Sequence, residues 1–351
     1  MISTPAALAA LISDLAAFDP IAIDTEADSL HCYFEKLCLI QITFDDTDLL
    51  VDPLAGLDLQ PLFELLAKKT IILHGVDYDL RLMRRAGFPE PGAVFDTMIA
   101  ARLTGHPEFS LAALVKQHFN VELVKGSQKA NWARRPLSPQ MEEYARNDTH
   151  YLILLAGLLE KRLRELGRWE WFEQCCARAI ATARIDKERD IDSTWRIAGS
   201  AELRGRATAL LRALWNWRDA EARAADRPAF HVLQNEKLIE AATRLDRGEP
   251  VSFPHLSTGR QRRFDEAVRE ALALSPDEWP RFVRKPRLRP TPEQERAFAA
   301  LKTRRDAAAK TLELDPALIA PKATLEQIAS DPGSAVSRLM PWQLALLQPI
   351  P

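Results

Sequence analysis

Four acidic residues constrain this chain more than any other feature. Asp24 and Glu26 stand in IAIDTEAD, Asp79 in HGVDYDL and Asp148 in EYARNDTHYL. Carboxylates that repel one another are costly to gather unless a cation sits between them. A fold that collects these four would hold a pair of hard divalent ions, a device suited to cleaving phosphodiester bonds. IAID reads as the start of a buried strand, and its period of two puts Asp24 and Glu26 on one face. Tyr144 stands four residues before Asp148 on an expected helix, so those two share a face as well. Asp79 falls in the first turns of a helix that follows the strand TIILHG. Asp77 is its rival, and is read here as the helix N-cap because it directly precedes the periodic run YDLRLMRRAG.

The segments between these acids read as one α/β domain. IAID, LCLIQITF and DLLVD are three strands in succession, and TIILHG and AVFD are two more. Helices are expected over 61–69, 77–86, 97–103 and 110–119, with a long loop over 120–139 and one helix from Pro139 to about Leu166. Such an order predicts a mixed sheet covered by helices. After Trp169 the pattern is helical only. ALWNWRDAEA at 213–222 recurs as ALKTRRDAAA at 300–309, and at the same offset Leu238 meets Leu325 and Ala242 meets Ala329. This predicts a duplicated helical module. RKPRLRPTP, with three prolines and four basic residues, reads as an extended linker between the copies. Trp215, Trp217 and Arg218 form a helical stripe of the kind that packs into a core.

Charge divides along the chain. Residues 1–168 carry 17 Lys/Arg against 23 Asp/Glu, and residues 169–351 carry 30 against 26. An acidic front half fits a metal site; a mildly basic back half fits a polyanion. The four cysteines make no CxxC pair and no disulfide framework, which points to a reducing compartment, and adjacent Cys175 and Cys176 read as packing residues. The apolar N-terminal run lacks a basic leader and is interrupted by Asp14 and Asp19; Thr4-Pro5 opens it as an amphipathic helix. No membrane span is expected, and the expected location is the cytoplasm.

Taken together, DTEADSL (24–30), LCLIQI (37–42), LVDPL (50–54), HGVDYDL (74–80), FDTMIAARL (95–103) and NWARRPLSPQMEEYARNDTHYL (131–152) resemble the three motifs of the DEDD exonuclease superfamily, and more closely the ribonuclease D family. One branch of that superfamily has a histidine five residues before its last aspartate. Here that position is Glu143, and Tyr144 stands four before, so the chain is similar to the tyrosine branch; His150 follows the aspartate and cannot serve. The helical repeats resemble the HRDC module, the second copy in degenerate form, since Lys302 and Arg304 replace Trp215 and Trp217. The resemblance implies a ribonuclease-H-like mixed sheet flanked by helices over 1–168, a helical linker over 169–199, and two all-α HRDC-like modules over 200–282 and 283–351.

It also implies a 3′-to-5′ exoribonuclease that releases 5′-nucleoside monophosphates with two divalent ions, Mg²⁺ or Mn²⁺ in view of the oxygen-only ligands. Asp24 is expected to bridge the ions, Glu26 and Asp148 to hold the one that activates water, and Asp79 the other; Tyr144 would aim the water. Ala27, Asp28 and Leu30, with Gln41 and His74, are expected to line the terminal-nucleotide pocket. Lys125, Gln128, Trp132 and Arg135 would approach the scissile phosphate or a base. Arg260, Arg262, Arg263, Arg284, Lys285 and Arg287 are candidates for phosphate contacts. RNA 3′ ends, tRNA precursors among them, are the expected partner of a monomeric enzyme. Two other readings stand beside this one: a DNA 3′ exonuclease, and a non-catalytic RNA-binding protein on a nuclease scaffold. No GxxxxGK[ST] is present to supply a helicase.

Overall fold

A computed structural model describes residues 1–123, 126–185, 191–281 and 289–350. Helix α1 (Pro5–Leu15) opens as its sequence indicates, with Thr4 as N-cap accepting from the Ala7 amide. Strands β1 (Ile21–Ala27), β2 (Leu37–Phe44) and β3 (Thr47–Val51) follow, then α2 (Gln60–Leu66), β4 (Thr70–Leu73), α3 (Val76–Arg85), β5 (Ala93–Asp96), α4 (Thr97–Leu103) and α5 (Leu111–Phe119). The sheet order is β3-β2-β1-β4-β5, antiparallel across β3, β2 and β1 and parallel from β1 to β5. This is the mixed, ribonuclease-H-like sheet.

Alternation sorts the strands into two faces. Ile21, Ile23, Ile40, Ile42 and Ile71 pack with α1, α2 and α3. Ala22, Ile72 and Phe95 face the other way. Every residue of β2 is buried, as a central strand covered on both sides must be.

Residues 139–165 do not form one helix. They break at Tyr151 into α6 (Pro139–His150) and α7 (Leu152–Glu165). The end of α6 is tied to the sheet: Thr149 Oγ1 meets Thr43 Oγ1 at 2.7 Å, and His150 Nδ1 meets Asp48 Oδ2 at 2.6 Å. Helix α7 instead buries Leu152, Leu155 and Leu159 with α4 in a separate cluster, so one straight axis cannot serve both. A second correction concerns Asp77. The N-cap of α3 is Gly75, at φ 92°, where a side chain would be strained and its Cβ would lie 3.2 Å from Met98 Cε. The capping acceptor comes from elsewhere: Asp96 Oδ1 and Oδ2 accept from the Gly75 and Val76 amides at 3.1 and 2.8 Å. Asp77 lies in the first turn and pairs with Arg81 at 2.7 Å.

The remaining helices are α8 (Trp169–Ala183), α9 (Ile191–Thr194), α10 (Arg206–Ala224), α11 (Ala229–Val232), α12 (Asn235–Asp246), α13 (Thr258–Ala273), α14 (Pro292–Leu312), α15 (Pro316–Ile319), α16 (Lys322–Ser330), α17 (Ala335–Arg338) and α18 (Pro341–Leu347). The chain divides into two compact units: Met1–Ala27, Leu37–Asp186 and Leu288–Pro351 in the first, Asp28–Lys36 and Lys187–Arg287 in the second. The segment 169–199, read as a linker, thus contributes α8 to the first unit, with Phe172, Cys175 and Cys176 in its core. Leu301, Ile328 and Trp342 of the C-terminal helices belong to that same core. Arg168 fastens them, donating to the carbonyls of Leu103 and Leu312 at 2.6 Å each. Of the expected linker at 284–292, residues 284–288 lie outside the described residues. Among the described residues no helix is long and apolar enough to cross a membrane.

The repeat is present in three dimensions as a succession of long helix, single turn and third helix. α11 and α15 occupy equivalent positions at an offset of 87 residues, as do the starts of α12 and α16. The repeated Arg-Asp-Ala has a physical cause. Arg218 Nη1 donates to the carbonyl of Leu233 at 3.0 Å and to Asn235 Oδ1 at 2.8 Å; Arg305 Nη1 donates to the equivalent carbonyl of Ala320 at 3.1 Å. The arginine therefore stitches the long helix to the turn that follows it. Trp217 packs edge-on against Phe264 in the second unit's core, as the stripe predicted. Arg218→Met would keep the apolar stem and strand two acceptors, the buried Leu233 carbonyl and the half-buried Asn235 side chain. It should lower stability by about 1–3 kcal/mol in urea unfolding followed by tryptophan fluorescence.

Candidate active site

Strand β1 presents Asp24 and Glu26 on one face, and α6 lies across that face with Tyr144 and Asp148 one turn apart. One carboxylate oxygen each from Asp24, Glu26 and Asp148 lies within 4.8 Å of the others. Asp79 approaches from α3. It is buried, and its Oδ1 accepts from the Thr25 amide at 3.1 Å and the Thr25 hydroxyl at 2.5 Å. The β1 residue between the two acids is thus what holds the fourth. Asp96 sets the start of α3, and with the same carboxylate it caps α4 through the Met98 and Ile99 amides at 2.8 and 3.1 Å.

The electrostatics of this cluster are one-sided. Burial, then the charges of Asp79, Asp148 and Glu26, hold the Asp24 carboxyl well above the ordinary range. Burial and the charges of Asp148 and Asp79 push Glu26 to about 9. Burial raises Asp148 to about 7 against the opposing effect of the Tyr144 hydroxyl, and raises Asp79 to about 6 against its bonds from Thr25. Tyr144 is pushed up by burial and by Asp148, Glu26 and Asp24. Among the described residues, the charges that shift Asp24, Glu26 and Asp148 most are negative. Without a cation the cluster therefore binds protons, and an all-oxygen set this close fits a hard divalent ion.

A cavity of about 550 Å³ opens over Asp24, Tyr144 and Asp148. His74 and Gln128 are among the residues that line it. His74 Nδ1 meets Thr97 Oγ1 at 2.9 Å, and burial lowers its pKa, so the ring is neutral. Other expected residues are placed differently. Gln41 is opposite Asp24 in the β1–β2 register, but it is fully buried and its amide has no partner among the described residues. Ala27 ends β1. Asp28 is buried and turned back on its own segment, accepting from the Lys36 amide at 2.9 Å, while Leu30 is exposed. Trp132 is buried with Leu39, Leu137 and Ala145. Arg135 is committed to Asp52, at 2.7 and 2.6 Å, and to the carbonyls of Trp132 and Cys38. These two residues fasten the 126–138 loop to the sheet and do not line the cavity.

Lys125, Arg284, Lys285 and Arg287 lie outside the described residues. In the second unit Arg260 and Arg263 are engaged by a carboxylate of their own unit. Both pair with Glu221, Arg260 Nε at 3.1 Å. Among the described residues, Arg262 is exposed on α13 and pairs at 3.7 Å with Glu266. Sequence reading missed Asn147, Met98, Phe109 and Ser110 in the cavity lining. Asn147 was within reach of it, three residues beyond Tyr144 and so on the same helical face.

A family model described as a 3′-5′ exonuclease matches residues 1–164, and the HRDC domain model matches residues 207–249. Ribonuclease D of Zymomonas mobilis is 33% identical over 292 residues, covering 80% of this chain and 74% of the relative. Ribonuclease D of Desulfotalea psychrophila is 29% identical over 340 residues, covering 93% and 90%. The crystal structure of Escherichia coli RNase D, described as an exoribonuclease involved in structured RNA processing, superposes with a TM-score of 0.70 at 27% identity, over 97% of this chain and 91% of that one. With its mixed sheet, its acidic cluster and its HRDC region, the chain belongs to the ribonuclease D family of 3′-5′ exoribonucleases.

Proposed function

We propose that this exoribonuclease trims structured RNA from the 3′ end, tRNA precursors among its substrates, and releases 5′-nucleoside monophosphates. Two divalent ions, Mg²⁺ or Mn²⁺, would be held by Asp24, Glu26, Asp148 and Asp79. The observation that carries the reading is the convergence of three carboxylates within 4.8 Å, where neighbouring carboxylates and burial raise the Asp24 and Glu26 pKa values. The chemistry such ions supply when bound is Lewis acidity toward a water and toward the phosphoryl and leaving oxygens.

The chain's own residues do the rest. Asp24 and Glu26 are fixed by pairing with Gln41 and Leu39 of β2. Asp148 is fixed by the Thr149–Thr43 contact one residue further along α6. Asp79 has one oxygen occupied by Thr25 and offers the other. Tyr144 stays protonated at neutral pH, because its surroundings raise its pKa from an already high value. It therefore acts by donating and accepting hydrogen bonds, aligning the attacking water between itself and Asp148. His74, Gln128 and Asn147 line the cavity and would meet the terminal nucleotide there. Arg262 offers a backbone phosphate contact of the sequence-independent kind.

Purified protein assayed on a 3′-labelled single strand, as RNA and as DNA, tests the reading. Asp24→Ala should lose at least about a thousandfold in rate with circular dichroism unchanged. Full activity in this variant, or in excess EDTA, would overturn the assignment. Tyr144→Phe should lower kcat by about 10–100-fold while calorimetric Mg²⁺ affinity stays within twofold; a matching loss of affinity would make the tyrosine a ligand support instead.

The raised carboxylates also set a pH dependence. Their native forms bind more protons than the unfolded chain does, so this contribution to stability is fully present below the ordinary carboxylate range. It is lost as pH rises through about 7 for Asp148 and about 9 for Glu26. In EDTA the Tm should therefore fall between about pH 6 and about pH 9, and added Mg²⁺ should raise it more at the higher pH. A Tm that is flat in pH, or equally raised at both ends, would contradict the cluster's electrostatics.

A further inference from the structure

The segment Asp28–Lys36 leaves β1 directly after Ala27 and enters β2 at Leu37, yet it folds as part of the second unit. Two aspartates of the HRDC region hold it there. Asp219, on α10, accepts from the Tyr33 hydroxyl on both oxygens at 3.0 Å. Asp226, two residues past the end of α10, accepts from the amides of Tyr33 and Phe34 on Oδ1 at 3.1 and 3.0 Å, and pairs through Oδ2 with Lys36 at 3.2 Å. Lys36 in turn reaches Asp28 Oδ2 at 3.4 Å. The segment is therefore gripped near its middle and at its end, and its own first residue is tied to its last.

Two details separate this from ordinary surface polarity. Asp226 sits at φ 43°, a left-handed conformation that aspartate adopts only with some strain and that points its carboxylate at consecutive amides. The duplicated module also supplies a comparison. Asp306, the counterpart of Asp219, is taken by its neighbour Arg305 at 2.7 Å, and Glu313, the counterpart of Asp226, keeps the left-handed turn at φ 54°. The turn is thus common to both copies, whereas among the described residues the capture of the irregular 28–36 segment belongs to the first.

We infer that Asp219 and Asp226 are positioning residues for the exonuclease reaction. By holding the segment that continues from Glu26, they set the conformation of the chain directly beyond the metal-ligating strand. This rests on the proposed role of Glu26. It assigns the HRDC region a second task besides holding RNA, namely ordering the β1–β2 connection.

Substitutions at Asp226 separate the anchor from the turn. Asp226→Gly suits the positive φ and removes the acceptor; Asp226→Asn keeps the acceptor and tolerates the φ. In the full-length protein, hydrogen exchange at Tyr33 and Phe34 should speed at least about tenfold in the glycine variant and stay near wild type in the asparagine variant. With Mg²⁺ and a 3′-labelled RNA strand, kcat/KM should fall at least about tenfold for glycine and less than about threefold for asparagine, with Tm unchanged within about 2 °C. Equal kinetics for the two variants, high or low, would overturn the inference, as would faster exchange in the glycine variant with wild-type kcat/KM. Failure of the underlying exonuclease reading looks different: the wild-type protein would then be inactive on RNA and DNA alike.

Discussion

The mutual repulsion of buried carboxylates is the constraint around which the first unit is built. Burial and the charges of neighbouring acids raise the pKa values of Asp24, Glu26 and Asp148, burial above all raises that of Asp79, and the fold must still hold them together before any ion arrives. It does so with rigid parts. Two acids are on a strand paired on both edges. A third is on a helix pinned to that sheet through Thr149 and His150. The fourth is on a helix whose first turn is capped from β5 by Asp96. Preorganisation of this kind stores an unfavourable arrangement in the protein, where ligand binding relieves it.

Much of this was legible because the periods involved are local. A spacing of two put Asp24 and Glu26 on one face of a strand, and a spacing of four put Tyr144 with Asp148. The repeated Arg-Asp-Ala marked a duplicated module. What stayed illegible depends on partners distant in sequence. Asp77 looked like an N-cap because the true acceptor, Asp96, comes from the end of another strand. The break at Tyr151 depends on which neighbours the two halves of 139–165 meet. Trp132 and Arg135 stand in a motif whose spacing shows that they matter. Only Asp52 and the carbonyl of Cys38, far back in the chain, show that their work is to fasten a loop. Arg260 and Arg263 looked like available cations until Glu221 appeared between them.

The two helical copies show how a duplication can diverge while its framework is kept. Both retain the arginine that stitches long helix to turn and the left-handed residue that closes the long helix. The first copy turned its aspartates toward the β1–β2 connection. The second joined the core of the first unit, with Trp342 stacked on Trp171 at 4.8 Å and its helix end bound by Arg168.

That shared core has a consequence for how the protein is made. Leu301, Ile319, Leu325 and Trp342 close an apolar surface whose other side is α4, α7 and α8, more than a hundred residues earlier in the chain. A ribosome delivers the sheet and its acids long before it delivers this cover. Until then the nascent domain exposes the greasy flank of its own scaffold, and a chain released early keeps it exposed. Such a product is a target for chaperones and proteases. A prematurely terminated message would then leave little of a nuclease fragment carrying the acids without the rest of the chain.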